Sequence, residues 1–194
     1  MFIQAIRSSL TMLLLWSVIT GVLYPLLVTG IAQTLLPFQA NGSIVTNDQG
    51  MHLGSQLIGQ SFDDPIYFWG RPSATATTPN NALASAGSNL GPLNPALADA
   101  VNARIQALKA MDPKNALPIP VDLVTASASG LDPEISLAAA QYQIPRIAKA
   151  RHLKPEAIVS LLDHYKVSAQ AFLWNEPRVN VLELNLALDR LKTS

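Results

Sequence analysis

The pattern of apolar and polar positions divides the chain into a long uncharged segment and a mixed sequence after it. Residues 8–47 are forty consecutive positions without an acidic or basic side chain, and residues 10–36 within them are largely apolar. As a helix, those 27 residues span about 40 Å, whereas the hydrocarbon core of a bilayer is about 30 Å thick. The pattern predicts a transmembrane helix over residues 9–36.

A cleaved signal peptide is the alternative interpretation of this segment. Its apolar core is about 7 to 15 residues long and is followed by small residues at a cleavage site. The apolar segment here is much longer, and residues 36–40, Leu-Pro-Phe-Gln-Ala, contain no small-x-small site. We therefore expect the segment to be retained as an anchor.

The charges beside the span predict its orientation. Arg7 precedes the span, and the next lysine or arginine is Arg71. Short basic flanks remain in the cytoplasm. We therefore expect residues 1–8 to be cytoplasmic and residues 37–194 to form a periplasmic domain, carried by a single-pass protein of the cell inner membrane.

Small and weakly polar side chains recur at every fourth position of the span. Helical spacing brings them onto one slowly winding face, and such faces allow close approach of another membrane helix. The stripe predicts a partner in the membrane, the alternative being a chance arrangement of residues common in membrane helices. Pro25 should also bend the helix near its middle. The stripe consists of Ser17, Gly21, Pro25, Thr29 and Gln33.

The first half of the outer part predicts a hairpin, a long loop and a helix. Residues 42–45 and 53–58 are typical of short strands around the turn at 47–50. Residues 67–69 resemble the end of an aromatic strand, and residues 70–95 form a loop rich in Ser, Thr, Asn, Gly and Pro. Asn94 and Pro95 then predict the start of a helix that ends near Met111.

The second half predicts further helices and short strands in the same domain. We expect a strand over 121–125, a helix restarting at Asp132-Pro133-Glu134, a break or kink at Pro145, and another helix from Pro155. Residues 179–191 predict a short strand turning into a helix. The expected fold is therefore one N-terminal transmembrane helix followed by one α/β (α+β) domain with a small sheet and several helices.

Composition narrows the function classes. The chain has 13 basic and 13 acidic residues and no cysteine, which excludes disulfides, thiolate nucleophiles and Cys-ligated metals. No basic stripe with interleaved aromatics points to nucleic acid. The loose basic group is interpreted as a solvated helix face; it consists of Arg146, Lys149, Arg151 and Lys154.

The search for catalytic chemistry favours binding. His52, His152 and His164 lack the spacing of a metal pair, and Ser127 and Ser129 lack the G-x-S-x-G frame of a nucleophile turn. Neither of the glycine-rich phosphate-binding motifs, G-x-x-x-x-G-K-[ST] and G-x-G-x-x-G, occurs in the sequence. We predict no catalytic, metal or cofactor site of the chain's own. Residues 67–72 and Asn89 combine aromatic, guanidinium and amide groups, which suits an interaction hot spot or core packing beside a loop.

Seven sequence strings resemble the KdpC subunits of bacterial potassium-transporting P-type ATPases, in order and over nearly the whole chain. Two of them are Tyr-Phe-Trp-Gly-Arg-Pro-Ser-Ala-Thr at residues 67–75 and Gly-Ser-Asn-Leu at residues 87–90. The other five lie at residues 24–27, 39–43, 54–62, 124–132 and 184–189.

This resemblance implies a non-catalytic subunit of a high-affinity, ATP-driven potassium uptake complex. Its partners are then a channel-like potassium-translocating subunit, a P-type ATP-hydrolysing subunit and a small hydrophobic subunit. The family is also credited with raising the ATP affinity of the hydrolysing subunit, as a catalytic chaperone. ATP and potassium are handled by the complex.

The expected contacts combine the resemblance with the residue patterns. The stripe should dock on partner helices, and two outer loops should contact the channel-like subunit. Those loop residues are Trp69, Gly70, Arg71, Pro72 and Ser73, together with Gly87, Ser88 and Asn89. Because the predicted topology separates the outer domain from cytoplasmic nucleotide, an indirect effect on ATP affinity through the membrane helix is favoured. A nucleotide-binding regulator and an envelope hydrolase using Ser127 or Ser129 are the alternatives.

Overall fold

The structure is a computed structural model and describes residues 2–168 and 176–191. The chain separates into two compact units, Met1–Ile44 and Val45–Ser194. The described part of the first unit is mostly helical. Its elements are α1 (Phe2–Val18), a π-helical segment (Ile19–Leu23), α2 (Tyr24–Leu35) and α3 (Pro37–Ala40).

The helical run Phe2–Leu35 is the one helix, among the described residues, that is long and apolar enough to cross a membrane. It has 34 residues and a mean hydropathy of 2.0, and none of its most apolar window is buried. The run includes all of the predicted span except Leu36 and extends through residues 2–8, the segment expected to be cytoplasmic. An exposed apolar surface of this length suits a lipid environment.

The expected disturbance near Pro25 takes the form of the π-helical segment. Proline has no N–H to donate, and its ring crowds the carbonyl four residues earlier, which here belongs to Gly21. The segment Ile19–Leu23 contains that carbonyl and is closed by the Tyr24 N–H donating to the Ile19 carbonyl, five residues back. The wider turn accommodates the proline within a continuous helix.

The predicted hairpin is confirmed with shorter strands. Strands β1 (Ile44–Thr46) and β2 (His52–Ser55) form a two-stranded sheet. In the turn, the Asn47 N–H donates to the Met51 carbonyl and the Asn47 Oδ1 accepts from the Met51 N–H at 2.9 Å. Gly50 has φ +76°, a conformation that glycine adopts without strain.

Helix α4 (Pro95–Met111) has the predicted bounds. The Asn94 Oδ1 accepts a hydrogen bond from the Ala96 N–H at 3.0 Å, and Pro95 occupies the first turn, where its missing N–H has no consequence. Leu108 is the one fully buried residue of this helix.

The core of the second unit is built from three helices and a two-stranded sheet. Helix α5 (Leu137–Arg151) contacts α6 (Pro155–Tyr165), which contacts α7 (Val181–Asp189). Strands β3 (Glu134–Ser136) and β4 (Arg178–Asn180) pair antiparallel, with Ile135 opposite Val179. The largest fully buried apolar side chains are Phe68, Leu123, Ile135, Ile147, Ile158, Leu184, Leu188 and Val179.

Two elements predicted in the second half of this unit are wrong. Residues 121–125 form a 3₁₀ turn (Val121–Leu123) in place of a strand, because the Asp122 Oδ2 accepts the Ser136 N–H and the Thr125 hydroxyl donates to the Val121 carbonyl. The helix expected from Asp132 begins at Leu137, with Ser136 as its N-cap. Residues 134–136 instead pair with a strand that lies more than forty positions away.

Pro145 neither ends nor divides α5. Its ring and the carbonyl of Gln141 that loses a partner belong to exposed residues, so water can satisfy the lost hydrogen bond. The helix from Pro155 and the strand turning into a helix after Val179 are both confirmed. The expected fold is thus confirmed as an apolar N-terminal helix and a helix-rich domain with small sheets.

Candidate partner-binding site

Residues 65–70 enter the core of the second unit without forming a strand. Buried backbone polar groups need partners, and here every carbonyl of the segment accepts a hydrogen bond from a side chain. The pairs are Pro65 with Arg146, Ile66 with Arg151, Tyr67 with Arg146, Phe68 with Asn185, Trp69 with Gln143 and Gly70 with Arg104. The aromatic strand end expected at 67–69 is therefore wrong, because side chains replace the ladder of a sheet.

Two amide side chains pair with successive residues of this segment in the same way. The Gln143 Oε1 accepts the Trp69 N–H at 2.8 Å, and its Nε2 donates to the Trp69 carbonyl at 3.1 Å. Asn185 does the same for Phe68, at 2.8 and 3.0 Å. Because Gln143 lies on α5 and Asn185 on α7, the segment ties these two helices together.

Two guanidinium groups lie over the Trp69 indole. The Cζ atoms of Arg104 and Arg146 are 5.0 and 4.8 Å from the ring centroid, within cation–π range. Burial lowers the pKa of Arg146 to about 10, opposed by the charge of Asp112, and burial also lowers the pKa of Arg104. Trp69 itself is 4% exposed, so its side chain is buried and supports the loop that follows it from inside the folded unit.

A second cluster fixes the start of the segment to α7. The Arg151 guanidinium lies 4.9 Å from the Tyr67 ring centroid and pairs with Asp189 at 2.6 Å. The Tyr67 hydroxyl donates to the same carboxylate at 3.1 Å. Burial, followed by the hydrogen bond and charge of Asp189, raises the pKa of Tyr67.

The segment after Trp69 joins two other loops into one surface. Arg71 pairs with Asp132 at 3.2 Å and donates to the Ala126 carbonyl at 3.3 Å. The Ser73 hydroxyl donates to the Gly130 carbonyl at 2.7 Å. The Ala86 N–H reaches the Ser129 carbonyl at 2.9 Å. We call residues 70–75, 85–89 and 126–132 the loop cluster.

Glycines allow the backbones of the loop cluster to touch. Gly130 has φ +68°, and a Cβ there would lie 2.6 Å from the Ala86 carbonyl oxygen. A Cβ on Gly87 would lie 2.8 Å from the Ala128 carbonyl oxygen. The contact leaves Ser88 and Asn89 exposed and Gly70, Arg71, Pro72, Ser73 and Gly87 half-buried.

The serine pair considered as a nucleophile shapes a turn of the same cluster. The Ser127 Oγ accepts the Gly130 N–H at 2.9 Å, and the Ser129 Oγ accepts the Leu131 N–H at 3.1 Å. Hydroxyls in this geometry stabilise a local turn. The three histidines are exposed, and His152 caps the end of α5 with φ +55°.

A cleft of about 440 Å³ beside the loop cluster is rich in charge. Three of its four carboxylates are engaged: Asp132 pairs with Arg71, Glu134 pairs with Arg178, and Asp122 accepts the Ser136 N–H. In the described part of the chain, no group of three or more His, Cys, Asp or Glu residues could hold a metal ion.

The membrane stripe is exposed along its whole length. One residue of the stripe, Gln33, already has a hydrogen-bond partner. Its side-chain amide forms two hydrogen bonds with the Asn41 amide, at 3.3 and 3.2 Å. Ser17, Gly21, Pro25 and Thr29 present no side-chain hydrogen bond to another described residue. Partner contact by the stripe and by the outer loops remains a prediction.

Sequence reasoning missed the side chains that hold the segment in place. The basic group interpreted as a solvated face is wrong for Arg146, which is 5% exposed, and for half-buried Arg151. Gln143 and Asn185 are both 1% exposed. One signal was available for Asn185, which interrupts an otherwise apolar run of residues 184–188, since a polar residue there needs a buried partner.

These features define a membrane-associated protein class with one candidate span and a separate folded domain built around side-chain-supported loops. A family model described as "KdpC: K+-transporting ATPase, c chain" matches residues 6–190. The chain belongs to this KdpC family of potassium-transporting ATPase subunits.

Similar proteins share nearly full length with this chain. A "Potassium-transporting ATPase KdpC subunit" of Herpetosiphon aurantiacus is 60% identical over 96% of both chains. A KdpC subunit of Variovorax paradoxus is 61% identical over 96% of both, and one of Methylococcus capsulatus is 57% identical over 98% of this chain and 100% of its own. The family places the chain in a potassium-transport complex.

Proposed function

We propose that the protein is a non-catalytic accessory subunit that stabilises assembly of a high-affinity, ATP-driven potassium uptake complex. Its partners in this proposal are a channel-like potassium-translocating subunit, a P-type ATP-hydrolysing subunit and a small hydrophobic subunit. The observation that carries the proposal is the family match over residues 6–190. The exposed apolar helix Phe2–Leu35 and the side-chain-supported loop cluster add to its support.

In this proposal the second unit lies in the periplasm and the helix crosses the inner membrane once. Arg7 is the one charged residue before Asp48, and short basic flanks remain cytoplasmic. Protease added to intact spheroplasts should digest the folded unit while a cytoplasmic control protein survives. A folded unit that stays intact until the membrane is permeabilised contradicts this orientation.

The membrane helix and the loop cluster are the two proposed contact surfaces. Gly21 and Thr29 offer small side chains on an exposed helix face, which suits close packing against another membrane helix. Ser88 and Asn89 are exposed on a loop that the Ala86 N–H ties to the Ser129 carbonyl, and a loop that is already tied down loses less ordering entropy on binding.

The proposed role as a catalytic chaperone acts through conformational equilibrium. A helix contact that favours one pump conformation changes ligand affinity elsewhere by the same coupling free energy. The subunit therefore raises the ATP affinity of the hydrolysing subunit without touching nucleotide. Photoreactive ATP in the intact complex should label the hydrolysing subunit and leave this chain unlabelled. Saturable labelling of this chain would favour the nucleotide-binding regulator instead.

Truncation tests the accessory function directly. A tagged chain ending after Leu36 retains the span and lacks the folded unit. We expect the full chain to copurify with its partners and to support ATP-dependent potassium uptake, and the truncated chain to lose both. Normal copurification and uptake with the truncated chain would show that the outer unit is dispensable and contradict the proposal.

A further inference from the structure

A second, smaller cleft of the folded unit is bordered by two arginines. Its volume of about 160 Å³ gives room for about five water molecules. The polar and charged residues that matter for its chemistry are Gln60, Ser61, Asp63, Arg71, Asn80 and Arg104. We call this space the Arg71–Arg104 cleft.

Arg104 brings a positive charge without an ion-pair partner among the described residues. Its Nε and Nη2 donate to the carbonyls of Leu123 and Gly70, both at 3.1 Å. The third nitrogen of the guanidinium, Nη1, makes no hydrogen bond to any described residue. It is not among the buried atoms that lack a partner. Arg104 therefore keeps donor capacity at the cleft.

Arg71 is also incompletely satisfied. Its Nη1 pairs with Asp132 and its Nη2 reaches the Ala126 carbonyl, but its Nε is buried without a partner. The five N–H donors of a guanidinium are fixed in one plane. Because the Nε is enclosed, Arg71 acts on the cleft through its charge, which Asp132 partly offsets.

The remaining wall offers both donors and acceptors. The Ser61 Oγ accepts from the Asn80 Nδ2 at 3.3 Å, which leaves the Ser61 hydroxyl proton free to face the cleft. The Gln60 side chain is exposed and brings an amide. Asp63 is the one acidic residue of the wall; it is exposed and belongs to none of the ion pairs among the described residues.

We propose that the Arg71–Arg104 cleft binds a carboxylate side chain presented by a partner polypeptide. Guanidinium groups recognise carboxylates through charge and planar geometry, and the volume suits one such side chain. A polypeptide source is favoured because the cleft includes residues 70–73 of the loop cluster, a proposed contact surface. This inference rests on the proposed function and adds the chemistry of the group that the partner supplies.

A charge series at Gln60 tests the proposal. The full-length chain carrying Gln60→Glu, Gln60→Lys or Gln60→Met is titrated against partner subunits purified without it, and the dissociation constant is measured at low and high salt. We expect Gln60→Glu to weaken assembly about three- to tenfold at low salt, and Gln60→Lys to match or exceed the wild type. Gln60→Met, which removes the amide without adding a charge, should fall between Gln60→Glu and Gln60→Lys, and high salt should shrink the differences.

A substitution of Asp63 tests the effect of removing a negative charge from the cleft. Asp63→Asn removes the acidic group of the wall and should tighten assembly by about the same factor. Asp99→Asn, at an exposed position of α4 outside the cleft, is the matched control and should leave the dissociation constant unchanged. Equal effects of Asp63→Asn and Asp99→Asn contradict a local carboxylate site.

The source of the anion is tested separately. Inorganic phosphate and acetate are titrated, at constant ionic strength, into the full chain in detergent. Gln60-dependent binding of either ion, with assembly unaffected by the Gln60 variants, overturns the polypeptide assignment. Assembly that follows the charge series supports it. A wild-type chain that fails to assemble contradicts the proposed function itself, whereas normal assembly with identical Gln60→Glu and Gln60→Lys values contradicts only this inference.

Discussion

The side-chain amide of Gln143 forms both hydrogen bonds that a neighbouring strand would give to Trp69. Its Oε1 accepts the Trp69 N–H at 2.8 Å and its Nε2 donates to the Trp69 carbonyl at 3.1 Å. The same Oε1 accepts from Arg146 at 2.7 Å. One glutamine therefore couples helix α5 to the segment that leads into the loop cluster.

Replacing this glutamine should destabilise the folded unit strongly. Gln143→Leu keeps the approximate volume but strands the Trp69 N–H, the Trp69 carbonyl and one Arg146 donor in the core. At about 1 to 3 kcal/mol for each unsatisfied buried group, we expect a loss of at least about 3 kcal/mol. Denaturant unfolding of the full chain in detergent measures it. Gln141→Leu, exposed on the same helix, should change stability by less than about 0.5 kcal/mol.

The raised pKa of Tyr67 predicts a loss of stability at alkaline pH. Burial and Asp189 place the folded-state value above the ordinary 10.0. Between the unfolded and folded values the native state holds more protons, so the free energy of unfolding falls as pH rises. The stabilisation from Tyr67 is complete below the pKa of the unfolded state and is lost as the pH rises through the pKa of the folded state.

Two variants isolate this titration. Tyr67→Phe cannot ionise and should lose this part of the alkaline decline, while absorbance shows one fewer late-titrating tyrosinate. Asp189→Asn removes the neighbouring charge and should lower the pKa of Tyr67. A tyrosinate titration unchanged in both variants contradicts the assignment.

Gly130 should not tolerate a side chain. Gly130→Ala adds a Cβ 2.6 Å from the Ala86 carbonyl at φ +68°, so a backbone must move and alanine must adopt a left-handed conformation. We expect a loss of about 2 to 4 kcal/mol in the same unfolding measurement. Gly91→Ala meets nothing within 4 Å and serves as the control, with an expected change below about 0.5 kcal/mol. Equal stabilities of the two variants contradict the packing of the loop cluster.

The membrane stripe predicts a positional effect on assembly. Gly21→Leu puts a bulky side chain on the proposed contact face, whereas Val22→Leu enlarges its exposed neighbour by one carbon. Because small residues allow close helix approach, Gly21→Leu should reduce copurified partner subunits several-fold and Val22→Leu should not. Membrane levels of both variants must match the wild type. Equal recovery of partners would remove the stripe as a contact face.

Local signals predicted several elements correctly. The asparagine-proline pair before α4, the turn after β1 and Pro155 at the start of α6 each act on neighbouring backbone groups. Such effects depend on residues a few positions apart. The wrong helix start at Asp132 has a non-local cause. Glu134–Ser136 is a strand because Arg178–Asn180 lies beside it.

The candidate site shows the same division. The loop strings around Trp69 and Gly87 were visible in the sequence, but the burial of Trp69 was not, because its neighbours Arg104 and Arg146 come from helices 35 and 77 positions away. A basic residue on a helix is usually solvated. Arg146 is buried because three oxygen acceptors, those of Pro65, Tyr67 and Gln143, surround its guanidinium.

The sequence by itself determined the apolar helix, because hydrophobic length and missing charge are properties of consecutive residues. It also determined the caps and turns, and its strings matched the family. Only the tertiary structure decided which polar side chains enter the core. Their hydrogen bonds to residues 65–70 join positions as far apart as Phe68 and Asn185, and the cost of burying them is offset only when all the partners are assembled.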